Sequence, residues 1–263
     1  MVKSVVMFSS GISSWAAAKR YAGEHGAKGM VLVFADTLIE DADNYRFLYE
    51  AAENIGGRLE ILREGRPPWE VMKDKQIIGN SRIDPCSDIL KRRPLHRWQK
   101  ENCGPETPII LGICFDEEQR YSRIKDRSPE WNYLAPLCEK PWISKRDTLA
   151  WARREGLTPP RMYEMGFPHA NCGGFCIKGG HASFALLLRH FPDRFMHHER
   201  EEEKMREIVG NHSILKDRRN GQSNPLTLRA LRERIESNQE IDEFDLGGCG
   251  CIGAMTQEAE SSS

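Results

Sequence analysis

The chain has 263 residues, 38 Lys plus Arg against 39 Asp plus Glu, and a formal net charge of −1. That balance excludes a global field that would gather nucleic acid and leaves only a local basic patch open. Hydrophobic residues, at 39%, suffice for a sizeable core in one α/β domain with an appendage or in two small domains. No apolar run reaches membrane-span length and no signal-peptide core follows Met1, so a cytoplasmic protein without a membrane partner is expected. Its eight cysteines are then reduced thiols or ligands rather than disulfides.

The first half alternates strand and helix signals. Val5–Phe8 and Met30–Ala35 are short, Val-rich apolar runs, as buried parallel strands require. Between them Trp15, Ala18 and Ala22 recur at helical spacing. The next helix places Tyr45, Leu48, Tyr49 and Ala52 on one face before Gly56-Gly57 stops it. Leu59–Leu62 predicts a third strand. A long helical stretch containing Pro94 leads to Ile109–Ile113 as a fourth, and Tyr133–Leu137 gives a fifth. This order predicts an α/β fold, a doubly wound and mainly parallel five-stranded sheet, with its ligand at the strand C-terminal ends. Residues 1–140 form the nucleotide-binding α/β domain on this reading.

Ser144 and Asp147 have the spacing of a capping box, and the helix they open stops at Gly156 before Thr158-Pro159-Pro160. From Gly166 to Gly180 the chain is irregular and rich in Gly, Cys and Asn. Phe184, Leu187, Leu188 and Phe191 then share a helical face. His197 to Ile208 predicts a charged helix solvated on one side, whose His197-His198 pair lacks a metal spacing. Leu228, Leu231 and Ile235 mark a last helix. Residues 141–253 read as a helical, cysteine-rich substrate and metal module, and 254–263 as a disordered tail.

Ser9-Ser10-Gly11-Ile12-Ser13-Ser14 joins the first strand to the first helix. Amides at a helix start carry partial positive charge and lack intrahelical partners, and small side chains let a phosphate reach them. No Gly-Lys-Ser/Thr ends the loop, so it is not a Walker-type P-loop. Cys172 and Cys176 enclose Gly-Gly-Phe, and Cys249 and Cys251 enclose one Gly. Two close-spaced thiol pairs in glycine-rich turns suit a four-thiolate site, with Zn²⁺ the first choice and a 4Fe-4S cluster the alternative. Cys103, Cys114 and Cys138 read as buried small hydrophobes. Lys91, Arg92 and Arg93, and further on Arg120 and Arg123, lie where strand ends would let them neutralise phosphate or sulfate.

In this order the motifs resemble those of the family of phosphoadenosine phosphosulfate reductases and N-type ATP pyrophosphatases, with its adenine nucleotide alpha hydrolase-like fold. Ser9–Ser14 occupies the places of its Ser-Gly-Gly-x-Asp-Ser pyrophosphate loop. Phe34-Ala35-Asp36-Thr37 is similar to its second-strand segment near the adenosine. Cys86 with Lys91, Pro94 and Leu95 is similar to its Cys-x-x-x-x-Lys-x-x-Pro-Leu segment, and Leu111-Gly112-Ile113 with Glu117 and Arg120 to its Leu-Gly-x segment. Pro136-Leu137, Trp142, Tyr163, Gly166, Cys172 and Cys176 resemble its C-terminal substrate module. Several phage-encoded members are similar in layout.

The resemblance implies an adenine nucleotide, ATP or a sulfonucleotide, held by Ser9, Ser10, Gly11, Ser13, Ser14 and Gly112. Asp36 and Thr37 would lie near the adenosine or Mg²⁺, and Lys91 and Arg120 would touch phosphate oxygens. It implies chemistry at the α-phosphate: adenylation of an acceptor, a small molecule or a nucleic acid, linked to sulfur transfer. The alternatives are a thiol-dependent reductase of a sulfonucleotide, served by a thioredoxin-like reductant, and a nucleotide-binding protein without turnover. Cys86 with Cys172 and Cys176 would be a three-thiolate cluster set, as in RNA-thiolating relatives. The chain departs from the pattern at Ser10 and Ser13, where Gly and Asp are usual, and lacks the reductases' Glu-Cys-Gly-x-His segment.

Overall fold

Strands buried on both faces cannot alternate polar and apolar residues, and the first two do not: SVVM and MVLVFAD are buried throughout. The computed structural model describes residues 2–218 and 222–248. Its main sheet comprises β1 (Ser4–Met7), β2 (Met30–Asp36), β3 (Arg58–Arg63), β4 (Ile109–Leu111) and β5 (Tyr133–Leu134). The order is β3-β2-β1-β4-β5, and every pairing is parallel, with Val5 opposite both Val31 and Ile109. The chain builds outward from β1 to β3, then crosses back to lay β4 on the other side of β1. That reversal opens a crevice at the C-terminal ends of β1 and β4.

Helices α1 (Ile12–His25) and α2 (Ala42–Ile55) cover one face, packing Trp15, Phe47 and Leu48 on Val6, Leu32 and Ile110. The buried stripe of α2 is Phe47, Leu48, Ala51, Ala52 and Ile55. Tyr49, expected inward, is exposed, and Tyr45 turns its hydroxyl to Asp36. After α3 (Pro68–Lys75) and the short α4 (Pro85–Ser87), a π-helical stretch Asp88–Arg92 leads into α5 (Arg93–Asn102). Pro94 has no N–H to give the Leu90 carbonyl, so the widened turn falls just before it. On this second face, Leu95 and Trp98 of α5 and Ile124 of α6 (Glu118–Arg127) pack on Val5, Val33 and Leu111.

Ser144 and Asp147 form the expected capping box at the start of α7 (Lys145–Arg154). This helix lies against α1, with Trp151 edge-on to Trp15. A separate core gathers Trp69 and Met72 with Phe175 and with residues of α8 (His181–His190), α9 (Pro192–Val209) and α10 (Leu228–Glu236). Between α9 and α10 lies a hairpin of β6 (Leu215–Asp217) and β7 (Asn224–Leu226), which the sequence reading did not foresee. Among the described residues no helix is long and apolar enough to cross a membrane.

The charged helix α9 is less solvated than its composition suggests. His198, Glu199 and Glu202 are all buried. His198 stacks on Phe175 at 3.6 Å and accepts a bond from Trp69 Nε1. Glu202 accepts from the amides of Ile214 (3.0 Å) and Leu228 (2.6 Å), tying the hairpin and α10 to α9. Burial pushes the Glu202 carboxyl up from 4.5 to about 7, and burial drives His198 down from 6.5 to about 3.

These shifts oppose each other. Between pH 4.5 and 7 the folded form keeps a proton on Glu202 that the unfolded chain releases, so acidification stabilises. Between 6.5 and 3 the unfolded chain protonates His198 and the folded form does not, so acidification destabilises. From pH 6.5 to 4.5 the slopes nearly cancel, each being about 1.4 kcal/mol per pH unit at most. Glu202→Gln removes one of them. Its unfolding free energy, followed by urea titration, should lose about 2 kcal/mol relative to wild type over that interval. A constant gap between the two proteins would overturn this account of Glu202.

Candidate functional site

The loop from β1 to α1 is tied together by its own serines. Ser14 Oγ donates to the Gly11 carbonyl at 2.8 Å and accepts from the Ser9 amide at 3.3 Å. Ser10 takes φ +56°, the left-handed region that favours glycine, and turns its hydroxyl away to the Asn44 carbonyl at 2.9 Å. The Ile12 amide donates to the Tyr163 hydroxyl at 3.1 Å. No acidic side chain stands in the first turn of α1, so its positive end is uncompensated locally.

Gly112 follows β4 and lies against this turn. A Cβ there would sit 2.5 Å from Ser14 Cα and 2.6 Å from its amide nitrogen. Only glycine lets β4's continuation approach the start of α1 so closely. Its role is therefore close packing as well as lining.

Above these strand ends lies a cavity of about 340 Å³. Its lining includes the apolar Met7, Phe8, Phe34 and Ala35. It also includes Ser9, Gly11, Ser13 and Ser14 and the cations Lys91, Arg120 and Lys145. Lys145 Nζ donates to the Pro168 carbonyl and lies 5.2 Å over the Tyr163 ring. Arg120 pairs with Glu117 at 3.0 Å, while its buried Nε has no hydrogen-bond partner among the described residues. Lys91 Nζ is 3.8 Å from Glu40 and donates to Cys172 Sγ at 3.4 Å. Glu40 is buried, which raises its carboxyl pKa, and it also accepts from the Cys172 amide at 2.6 Å.

Of the residues expected to hold nucleotide, Ser9, Gly11, Ser13, Ser14, Gly112, Lys91 and Arg120 line this cavity. Ser10, Asp36 and Thr37 are not among its lining residues. Asp36 accepts from the Leu38 amide (2.9 Å) and the Tyr45 hydroxyl (2.6 Å) and pairs with Arg63 at 2.9 Å. Thr37 Oγ1 donates to Glu40 at 3.2 Å. Both shape the turn that leads into α2. The carboxylates that do reach the cavity are Asp116 and Glu117.

Cys172 and Cys176 are buried, the former at φ +55°, and Cys86 is half-buried. Cys249 and Cys251 lie outside the described residues. Among those described, no three His, Cys, Asp or Glu side chains group to hold a metal ion. Burial raises the thiols of Cys103 and Cys114, and that of Cys138 to about 11, so they behave as small apolar groups.

Lining residues that the sequence reading did not single out include Asp116, Lys145, His169 and Asn171, while Tyr163 entered it only as part of the substrate-module resemblance. Lys145 carried a usable signal. It opens α7, where a cation opposes the helix dipole. A lysine at an unfavourable place invites a search for an anion.

No protein-family model matches the chain, and no curated protein matches it in sequence. Among solved structures it is similar to the phosphate complex of phosphoadenylyl-sulfate (PAPS) reductase from Candida auris. The identity is 16%, over 63% of this chain and 78% of that one, with a TM-score of 0.43. It is also similar to the U34-tRNA thiolase NcsA from Methanococcus maripaludis with its 4Fe-4S cluster. There the identity is 18%, over 60% of this chain and 58% of the thiolase, with a TM-score of 0.42.

Proposed function

We propose that the chain is an enzyme that binds an adenine nucleotide at the crevice between β1 and β4 and acts at its α-phosphate, as a member of the phosphoadenosine phosphosulfate reductase and ATP pyrophosphatase family. One observation carries this reading. The serine loop at the positive end of α1, the cations Lys91, Arg120 and Lys145, and the apolar Met7, Phe8, Phe34 and Ala35 all line one cavity. The phosphates would sit on Ser9, Gly11, Ser13 and Ser14, and the base against Phe34 and Ala35.

The reaction on this reading is adenylation. An acceptor oxygen attacks the α-phosphorus, the bond to the bridging oxygen breaks, and pyrophosphate leaves with its negative charge. The adenylated acceptor is then open to displacement of AMP by sulfur or nitrogen. Lys145, Lys91 and Arg120 would stabilise charge on the transferring and departing oxygens, so positioning and electrostatics supply the rate. Mg²⁺, when bound, would screen the phosphates. Asp116 is the cavity carboxylate suited to it, since Asp36 is engaged elsewhere. The proposed four-thiolate metal site retains Cys172 and Cys176 as its described pair.

Calorimetric titration with ATP and with an adenylyl sulfate tests this. Wild type should bind at least one of them, and Lys145→Ala should weaken that binding about tenfold or more, as loss of a hydrogen bond to a charged group does. An unchanged melting temperature would show that the variant still folds. Wild type that binds neither nucleotide would end the proposal.

A further inference from the structure

Glu117, Gly247 and Gly248 line both the nucleotide cavity and a second cavity of about 640 Å³, and the two linings have no other residue in common. The serine loop and the strands have no part in the second one. It is built by the loop after α3, the start of α8 and the hairpin of β6. Each part is fixed. Asn80 Oδ1 accepts from the amides of Arg82 (2.9 Å) and Ile83 (3.2 Å), which folds the loop carrying Arg82. Arg234 pairs with Asp217 at 2.7 Å and holds the hairpin to α10.

The shared wall is seated on the start of α8. The Ala182 amide donates to the Asp245 carbonyl at 2.9 Å, and Ser183 Oγ to the Leu246 carbonyl at 2.6 Å. The Gly248 amide donates to the Lys178 carbonyl at 3.1 Å. Gly247, at φ +69°, comes so close that a Cβ would strike the Lys178 carbonyl and the Gly180 nitrogen.

The second cavity gathers positive charge in a chain whose net charge is −1. Arg82, Lys178, Lys216 and Arg218 line it, against the carboxylates of Glu117 and Asp245. Glu117 is paired with Arg120 at 3.0 Å, and Lys178 with Asp84 at 2.7 Å. Arg82, Lys216 and Arg218 are exposed and form no ion pair among the described residues. Elsewhere the arginines meet carboxylates: Arg161 and Arg194 share Asp41, and Arg232 holds Glu199. Three unpaired cations brought to one concavity repel one another until an anion enters.

His181 narrows the choice of anion. It lines the same cavity and is only 8% exposed. Its Nε2 lies 3.1 Å from the Lys216 carbonyl, which can only accept, so Nε2 carries the hydrogen. In the neutral ring Nδ1 is then an acceptor, and it is buried with no partner among the described residues. The missing group brings both negative charge and a hydrogen. A phosphate group does so near neutral pH, because its second ionisation falls at about pH 6. A sulfate or a carboxylate is charged there but has no hydrogen to give. The cavity is also larger than inorganic phosphate fills, and Ser81 and Ser223 add hydroxyls to its lining.

We infer that the second cavity binds the phosphomonoester of a small polyhydroxy compound, at a site separate from the nucleotide. The phosphate lies against Arg82, Lys216 and Arg218 with its hydroxyl toward His181 Nδ1. Ser81 and Ser223 meet the hydroxyls of the alcohol part. The two sites share only the three residues of the wall, so this assignment stands or falls apart from the nucleotide reading.

Calorimetric titration of the full chain with glycerol phosphate, inorganic phosphate and sulfate tests it, with ATP titrated separately. Glycerol phosphate should bind with a Kd of about 1 mM or tighter. Sulfate should bind about tenfold more weakly than inorganic phosphate, the loss of one hydrogen bond to a charged group. The pair Arg82→Glu/Lys216→Glu should weaken glycerol phosphate about tenfold or more, with an unchanged melting temperature reporting the fold. Arg218→Ala alone should weaken it about fivefold or more. Lys145→Ala, in the nucleotide cavity, should leave it within about twofold. A charge-reversed variant that binds like wild type would overturn the assignment. So would a loss on Lys145→Ala as large as that on charge reversal, since the anion would then occupy the nucleotide cavity. Sulfate bound as tightly as phosphate would remove His181 from the site and the phosphate class with it. Wild type that takes up ATP but no glycerol phosphate would end the second site and leave the nucleotide reading intact.

Discussion

Gly112→Ala should cost the protein about 3 kcal/mol of stability and most of its nucleotide affinity. The Cβ it adds would lie 2.5 Å from Ser14 Cα and 2.6 Å from the Ser14 nitrogen. Those are backbone atoms of the first turn of α1, so no side-chain rotation relieves the clash. Either β4's continuation or the start of the helix must move, and both border the cavity. The loop's bonds among Ser9, Gly11 and Ser14 would go with it. Urea denaturation and ATP calorimetry on the variant check the two halves together. A variant as stable as wild type with unchanged ATP affinity would show that the close approach has no such function. Gly23, which has open space around it, is the control site for the same substitution.

Asp41→Ala is expected to be the other large loss, about 2–3 kcal/mol. Asp41 caps α2 by accepting from the Asp43 amide at 3.0 Å. It is fully buried, yet it holds Arg161 at 2.8 Å and Arg194 at 3.0 Å. Arg194 also donates to the Gly173 carbonyl. One carboxylate thus joins helix α2, the turn carrying Cys172 and the start of α9. The arginines are partly exposed, which places the loss below that of a wholly buried pair.

Burial alone would push the Asp41 carboxyl up, but the bonds from Arg161 and Arg194 outweigh it and hold the pKa below 3.8. The stabilisation is then complete above pH 3.8 and is lost as pH falls through the lower folded value. The gap between wild type and Asp41→Ala should be constant from pH 7 to 5 and should close toward pH 3. A gap that widened on acidification would contradict the ion-pair account.

The parts of the fold that sequence made legible are those where burial dictates composition. Five strand signals became five parallel strands, and β1, β2 and β4, buried throughout, have no room for polar residues, whereas edge strand β3 keeps Arg58, Glu60 and Arg63. The capping box at Ser144 was equally legible, since its partners are three residues apart. The errors share a cause, which is partners distant in sequence. On α2, Tyr45, Leu48 and Ala52 do meet the core as expected, but Tyr49 is exposed and Phe47 and Ile55 are buried in addition. The partners of Asp36 were equally hidden, since Arg63 lies 27 residues on. The charged helix is solvated on one side as expected, but which of its acids turn inward was not legible: Arg232 and the amides of Ile214 and Leu228 make the burial of Glu199 and Glu202 possible. In the site, the serine loop was visible because it is one contiguous segment. Lys145 and Tyr163 reach it from more than 130 residues away, as the bond from the Ile12 amide to Tyr163 shows.

The wall formed by Glu117, Gly247 and Gly248 belongs to two cavities at once. A partition held in common makes occupancy reciprocal: whatever one ligand does to the affinity of the other is returned to it in equal measure. The order of arrival can then alter the speed of filling, but the free energy of the doubly occupied protein is the same by either route.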